Sequence, residues 1–183
     1  EGLRVIYGGG LSIPSNSVLT SDPFFLNGDE KTDHRHFSLS TGSYKYIIET
    51  QLFFKQPANP VFYGGFLTYE HPIAENEYNY IPPPLLNLSL SATFKRFDER
   101  DSSIGYGLGI MQSGQGYWNE IKEPNSKSLS VAPTLSYLVN SRFGALSFNI
   151  SKPIFLEGSF YSSEGNLGQG SNIWQLTVSL RKT

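Results

Sequence analysis

The chain has 183 residues, a formal net charge of −2, 16% charged residues and no cysteine. That suits one domain, 1–183, and excludes a disulfide framework, a thiolate metal site and a basic nucleic-acid surface. No apolar run reaches the roughly 18–20 residues of a membrane-crossing helix, whereas a strand-based membrane protein, whose signal per segment is weak, stays open. The opening Glu1-Gly2-Leu3-Arg4 carries no basic-then-apolar leader; a mature exported chain would have lost its signal, so that absence is neutral.

The predicted elements are strands. Leu3–Ile13 alternates, with Leu3, Val5, Tyr7, Leu11 and Ile13 on one parity and Arg4, Ile6, Gly8, Gly10 and Ser12 on the other. A polar stretch from Pro14 to about Phe37 reads as a long loop. Tyr44–Phe54 follows, with Tyr46, Ile48, Leu52 and Phe54 opposing Lys45, Glu49 and Gln51. After the short break Gln56–Pro60, a third strand runs from Val61 to about His71. Pro72–Pro84 is a longer gap. Leu86, Leu88, Leu90, Ala92 and Phe94 then alternate with Asn87, Ser89, Ser91, Thr93 and Lys95. Beyond the short exit Asp98–Ser102, Ile104, Tyr106, Leu108 and Ile110 alternate with three glycines.

A loop from about Ser113 to Lys127 precedes a sixth strand at about Leu129–Val139. A turn at Asn140–Arg142 leads to a seventh strand around Leu146, Phe148 and Ile150. After a Gly/Ser/Asn-rich loop comes the cleanest strand of all. Trp174, Leu176, Val178 and Leu180 lie on one face, and Gln175, Thr177, Ser179 and Arg181 on the other. Period two throughout, with no helical periodicity, makes the chain all-β. The connections alternate long and short, so long loops gather at one end and short turns at the other. Pro133 and Pro153 fall inside predicted strands and each should mark a bulge or a strand end.

Alternation alone does not say which face is inside. A soluble barrel turns apolar residues inward, and a membrane barrel inverts this. Here the polar face is mostly Ser, Thr, Gly and Asn, with few of the Lys and Glu of a solvated face. Aromatics gather near the strand ends, as in interfacial girdles. The expectation is a closed antiparallel up-and-down transmembrane β-barrel of about eight strands. Trp174, Leu176, Val178 and Leu180 would face lipid, and Ile173–Arg181 would pair with Leu3–Ile13.

Arg4, Lys45, Glu49, Glu70 and Lys95 share the polar parity. In a narrow lumen they should pair, because buried charges are costly alone. The sequence predicts a lumenal network joining Lys45, Glu49, Glu70 and Lys95. Gly105–Gly109 alternates at strand period without a following helix, so it is no dinucleotide fingerprint. It reads as room for bulky lumenal neighbours such as Phe62 or Phe66. Tyr117 and Trp118 read as a partner contact or as side chains packed on the rim.

Strand count, loop asymmetry and alternation over the whole chain resemble the small eight-stranded outer-membrane barrels of the outer-membrane protein A/X and W type. The resemblance implies residence in the bacterial outer membrane among its lipids and a non-enzymatic role, as anchor or interaction partner through the long loops or as accessory subunit of an envelope complex. No cofactor or metal is expected. It also leaves open a small porin or hydrophobic-compound channel. Many such barrels end in an aromatic residue, whereas this sequence ends Leu180-Arg181-Lys182-Thr183. His36 two residues before Ser38 resembles the His/Ser pair of outer-membrane lipid A deacylases, in which the His activates the Ser. This gives a lipid-modifying alternative, with Leu39 where an Asn is expected and with Asp33 or Glu70 as third member. His34, His36 and Asp33 form a weak metal-ligand pattern.

Overall fold

The alternating segments all form β-strands. The computed structural model describes residues 2–18, 20, 40–55, 61–95, 102–142, 144–158 and 173–182. Long strands are β1 (Gly2–Ser12), β2 (Lys45–Lys55), β3 (Val61–Pro72), β5 (Leu85–Lys95), β6 (Ser102–Ser113), β9 (Ser128–Ser141), β10 (Gly144–Ser151) and β12 (Gln175–Arg181). Short ones are β4 (Tyr80–Ile81), β7 (Tyr117–Trp118), β8 (Ile121–Lys122) and β11 (Ile154–Glu157).

The main sheet is antiparallel, in the order β1-β2-β3-β5-β6-β9-β10-β12, with β11 also on β9. Sequential strands are neighbours, the arrangement expected when every polar backbone group must find a partner next door. Among the described residues no pairing joins β12 to β1, and those two strands stand at the two ends of the sheet order.

The prolines fall where a ladder can tolerate them. Pro133 pairs with Leu108 of β6, and on its other side its carbonyl accepts a hydrogen bond from Lys152 N at 3.2 Å. A strand residue points its nitrogen and carbonyl the same way. The missing N–H of Pro133 therefore faces Lys152–Pro153, where β10 has ended and β11 has not begun.

Directly paired residues share a face, so the registers define two faces. Along β6, Gly105 is buried, Gly107 and Gly109 are half-buried, and Tyr106 and Leu108 are exposed. In β10, Ser147, Asn149 and Ser151 are half-buried while Phe148 and Ile150 are exposed. In β6 and β10 the small residues are the less accessible ones, and a hollow of about 370 Å³ is lined by Ser89, Ser91, Gly105, Gly107, Thr134 and Ser151 among others, with Leu90, Tyr106 and Leu108 also on its wall. Among the described residues, Val61, Tyr80 and Trp118 are the buried apolar side chains other than prolines.

Candidate functional site

Three features could carry function: the exposed apolar face, the small-residue face behind it, and a cap at the end of the long connections.

Trp174, Leu176, Val178 and Leu180 are 60%, 69%, 55% and 61% exposed, on a face continuous with Ile150, Phe148, Leu135, Leu108 and Leu90 through the registers. Aromatic pairs lie near both ends of this face. Tyr46 stacks on His71 at 5.3 Å toward the long connections. Phe54–Tyr63 and Phe94–Tyr106 meet at 6.2 and 6.0 Å nearer the short turns. Lys152 sits 5.3 Å over the Trp174 ring, a polar anchor beside an amphipathic one.

The predicted charge network is smaller than parity suggested. Lys45 Nζ lies 3.9 Å from Glu70 Oε2, and Glu49 Oε1 accepts a hydrogen bond from Gln51 Nε2 at 2.6 Å. Lys95 cannot join them in one cluster. Glu70 is level with Leu85, the first residue of β5, and Lys95 is its last, roughly 33 Å farther along at strand rise. Arg4 is level with Phe53, also toward the short-turn end. The glycines of β6 accommodate lateral neighbours. A Cβ at Gly105 or Gly107 would meet Ser136 at 3.3 Å or Thr134 at 3.4 Å on the adjacent strand, not Phe62 or Phe66.

The cap was not legible as an element. β4, β7 and β8 form a separate three-stranded sheet from the connections β3–β5 and β6–β9. Tyr80 stacks on Trp118 at 4.4 Å. Trp118 is 1% exposed, which corrects its reading as a partner contact: it packs inside the cap, while Tyr117 beside it is half-buried. The Tyr80 hydroxyl donates to the buried Glu123 carboxylate at 3.0 Å. Gln115 Nε2 and Ser126 Oγ donate to the Glu123 carbonyl at 2.9 and 3.0 Å. Asn76 Oδ1 accepts from Tyr78 N and Tyr80 N, and its amide donates to Thr41 O. A Cβ at Gly116 would collide with the Glu123 carboxylate, so a side chain there would displace the group that the Tyr80 hydroxyl binds.

Beside the cap a cleft of about 660 Å³ is lined by Asn16, Tyr44, Glu75, Asn76, Glu77 and Tyr78 among others. A hydrogen bond to Glu77, followed by its negative charge and slight desolvation, raises the Tyr78 phenol above its ordinary pKa.

Asp33, His34, His36 and Ser38 lie outside the described residues, and among those described no group of three His, Cys, Asp or Glu could hold a metal ion. No protein-family model, no curated protein and no solved structure matches the chain.

Proposed function

We propose that this chain is a bacterial outer-membrane β-barrel. It serves, without catalysis, as a membrane anchor that presents its long connections and their cap for interaction, alone or within an envelope complex. The observation that carries this is the apolar face: Leu90, Leu108, Leu135, Phe148, Ile150, Leu176, Val178 and Leu180 stand exposed on one continuous face of the sheet. Soluble monomers rarely leave an apolar patch beyond a few hundred Å², and lipid is the solvent that stabilises such a face.

The sheet's stagger supports closure. The row that starts at Arg4, near the beginning of β1, passes Phe53, Gly64, Ser91, Gly107, Thr134 and Ser151 to Gln175, the first residue of β12. It leaves the short-turn end of the first strand and arrives at the opposite end of the last. Placing Gln175 beside Ser12 closes the sheet with a shear of about eight residues, which for eight strands goes with a tilt of about 36°. Thr177 then faces Gly10, and Ser179 faces Gly8. Closure pairs the two edges, which in lipid could not stay open.

The test is extraction and heat-modifiability. The barrel requires detergent for extraction and runs at two positions on a gel, unheated and boiled. A freely soluble protein with one position contradicts the reading.

A further inference from the structure

We propose that Lys152 and Trp174 form a binding site for the phosphate headgroup of an anionic lipid, at the long-connection rim of the sheet. This rests on the membrane reading above and names a lipid class that the anchor role leaves open.

The described strand residues of the apolar face include no Asp, Glu, Lys or Arg. Within the strands its only basic group is His71, stacked on Tyr46. Lys152 departs from this pattern. It lies in the break between β10 and β11. Ser151 pairs with Gln175, which brings Lys152 level with Trp174, and its Nζ stands 5.3 Å over the indole ring. Its backbone N donates to Pro133 O at 3.2 Å. The ammonium is thereby held on the apolar side of the sheet, beside an exposed ring.

The surroundings of this pair are apolar. Two residues toward the short turns, Leu135, Ile150 and Leu176 share one row and are exposed. Two residues the other way, Ile154 pairs with Val131 and is exposed as well. The ammonium therefore stands inside the margin of the apolar belt. The carboxylate nearest to it in sequence, Glu157, is paired with Lys127 at 2.8 Å. With Gln175 placed beside Ser12 by closure, Trp174 comes beside Ile13, one residue beyond β1, which sets the pair at the rim.

A cation at the edge of hydrocarbon gains from an indole face, but it also demands an anion or water. The headgroup layer supplies the anion. Tryptophan settles at that level, and lysine meets phosphate as a point charge on a flexible stem. Below the headgroup, the rows Leu135–Ile150–Leu176 and Tyr137–Phe148–Val178 offer an apolar track for an acyl chain. An anionic headgroup is preferred over a zwitterionic one, because the cation of a zwitterion competes with Lys152 for the same phosphate.

Trp174 is its own reporter. The chain has two tryptophans, and Trp118 is buried inside the cap; Trp174→Phe measures its share of the emission. The full chain, verified by its heat shift, is reconstituted in phosphatidylcholine vesicles that contain a fixed fraction of either phosphatidylglycerol or phosphatidylcholine with brominated acyl chains. Quenching of Trp174 should show a relative affinity that favours phosphatidylglycerol by about threefold or more. Lys152→Gln should bring that ratio to about one with the heat shift unchanged, and Lys152→Arg should keep the preference. Equal quenching of the parent by the two lipids, or a preference that survives in Lys152→Gln, overturns the proposal and leaves the membrane reading standing, because the ring is then in contact with lipid. No quenching by either lipid overturns both.

Discussion

Leu90 is the position where lipid and water make the most different demands. It is the sixth of eleven residues in β5 and is 45% exposed. It lies between Gly65 and Leu108 on the apolar face. Leu90→Arg on a water-exposed sheet would change stability by no more than about 0.5 kcal/mol, because the site is not packed inside a core. At the midplane of a bilayer the same change costs about 2–4 kcal/mol, roughly 30- to 1,000-fold in the folding equilibrium. Leu11→Arg, near the long-connection end of β1 and 70% exposed, should cost about 0–1 kcal/mol, since the cost falls toward the interface. The assay is reversible denaturant unfolding in lipid vesicles, with the two variants beside the parent. Equal small effects at Leu90 and Leu11 would refute the lipid-facing assignment, because exposure alone ranks Leu11 as the more accessible site and only depth reverses the order of cost.

Other outcomes follow from the cap. Tyr80→Phe removes the hydroxyl that donates to buried Glu123 and should cost about 1.5–3 kcal/mol locally, seen as faster proteolysis of the 114–127 connection. Glu120, with φ of 66° in the β7–β8 turn, should gain up to about 1 kcal/mol on Glu120→Gly, because only glycine adopts that backbone without steric cost; slower proteolysis of the same segment reports it. The Lys45–Glu70 pair, at 3.9 Å and partly exposed, should show a coupling below about 1 kcal/mol in a double-mutant cycle. Tyr78 should ionise above the ordinary tyrosine range, and Glu77→Gln should lower its midpoint, as followed by ultraviolet absorbance, since the Glu77 hydrogen bond and charge are the leading causes.

The long strands were legible because each presents a run of alternating residues that burial on one side must respect. β2, β3, β5, β6 and β9 begin and end within a few residues of where alternation begins and ends. The final strand, Gln175–Arg181, lies within its predicted bounds. The cap was not legible because two-residue strands have no period. Tyr80 and Trp118 are far apart in sequence and meet only through the topology. The aromatics in both connections and the run Pro82–Pro84 were the available signals, and neither specifies a partner. The charge network was over-read for a related reason. Parity assigns a face but not a height, and height separates Lys95 from Glu70. Pro133 looked disruptive in one dimension; in the sheet its missing N–H faces the break between β10 and β11, where Pro153 lies.

The central claim, a closed barrel, is tested most directly by an engineered cross-link between its first and last strands. The proposed register puts Gly10 opposite Thr177. Gly10→Cys with Thr177→Cys, oxidised in the folded, membrane-inserted protein, should give a disulfide within one chain in high yield. Gly8→Cys with Thr177→Cys, one same-face step out of register, should give markedly less. No intramolecular cross-link in the first variant, or cross-links only between two chains, would contradict closure of the sheet on itself.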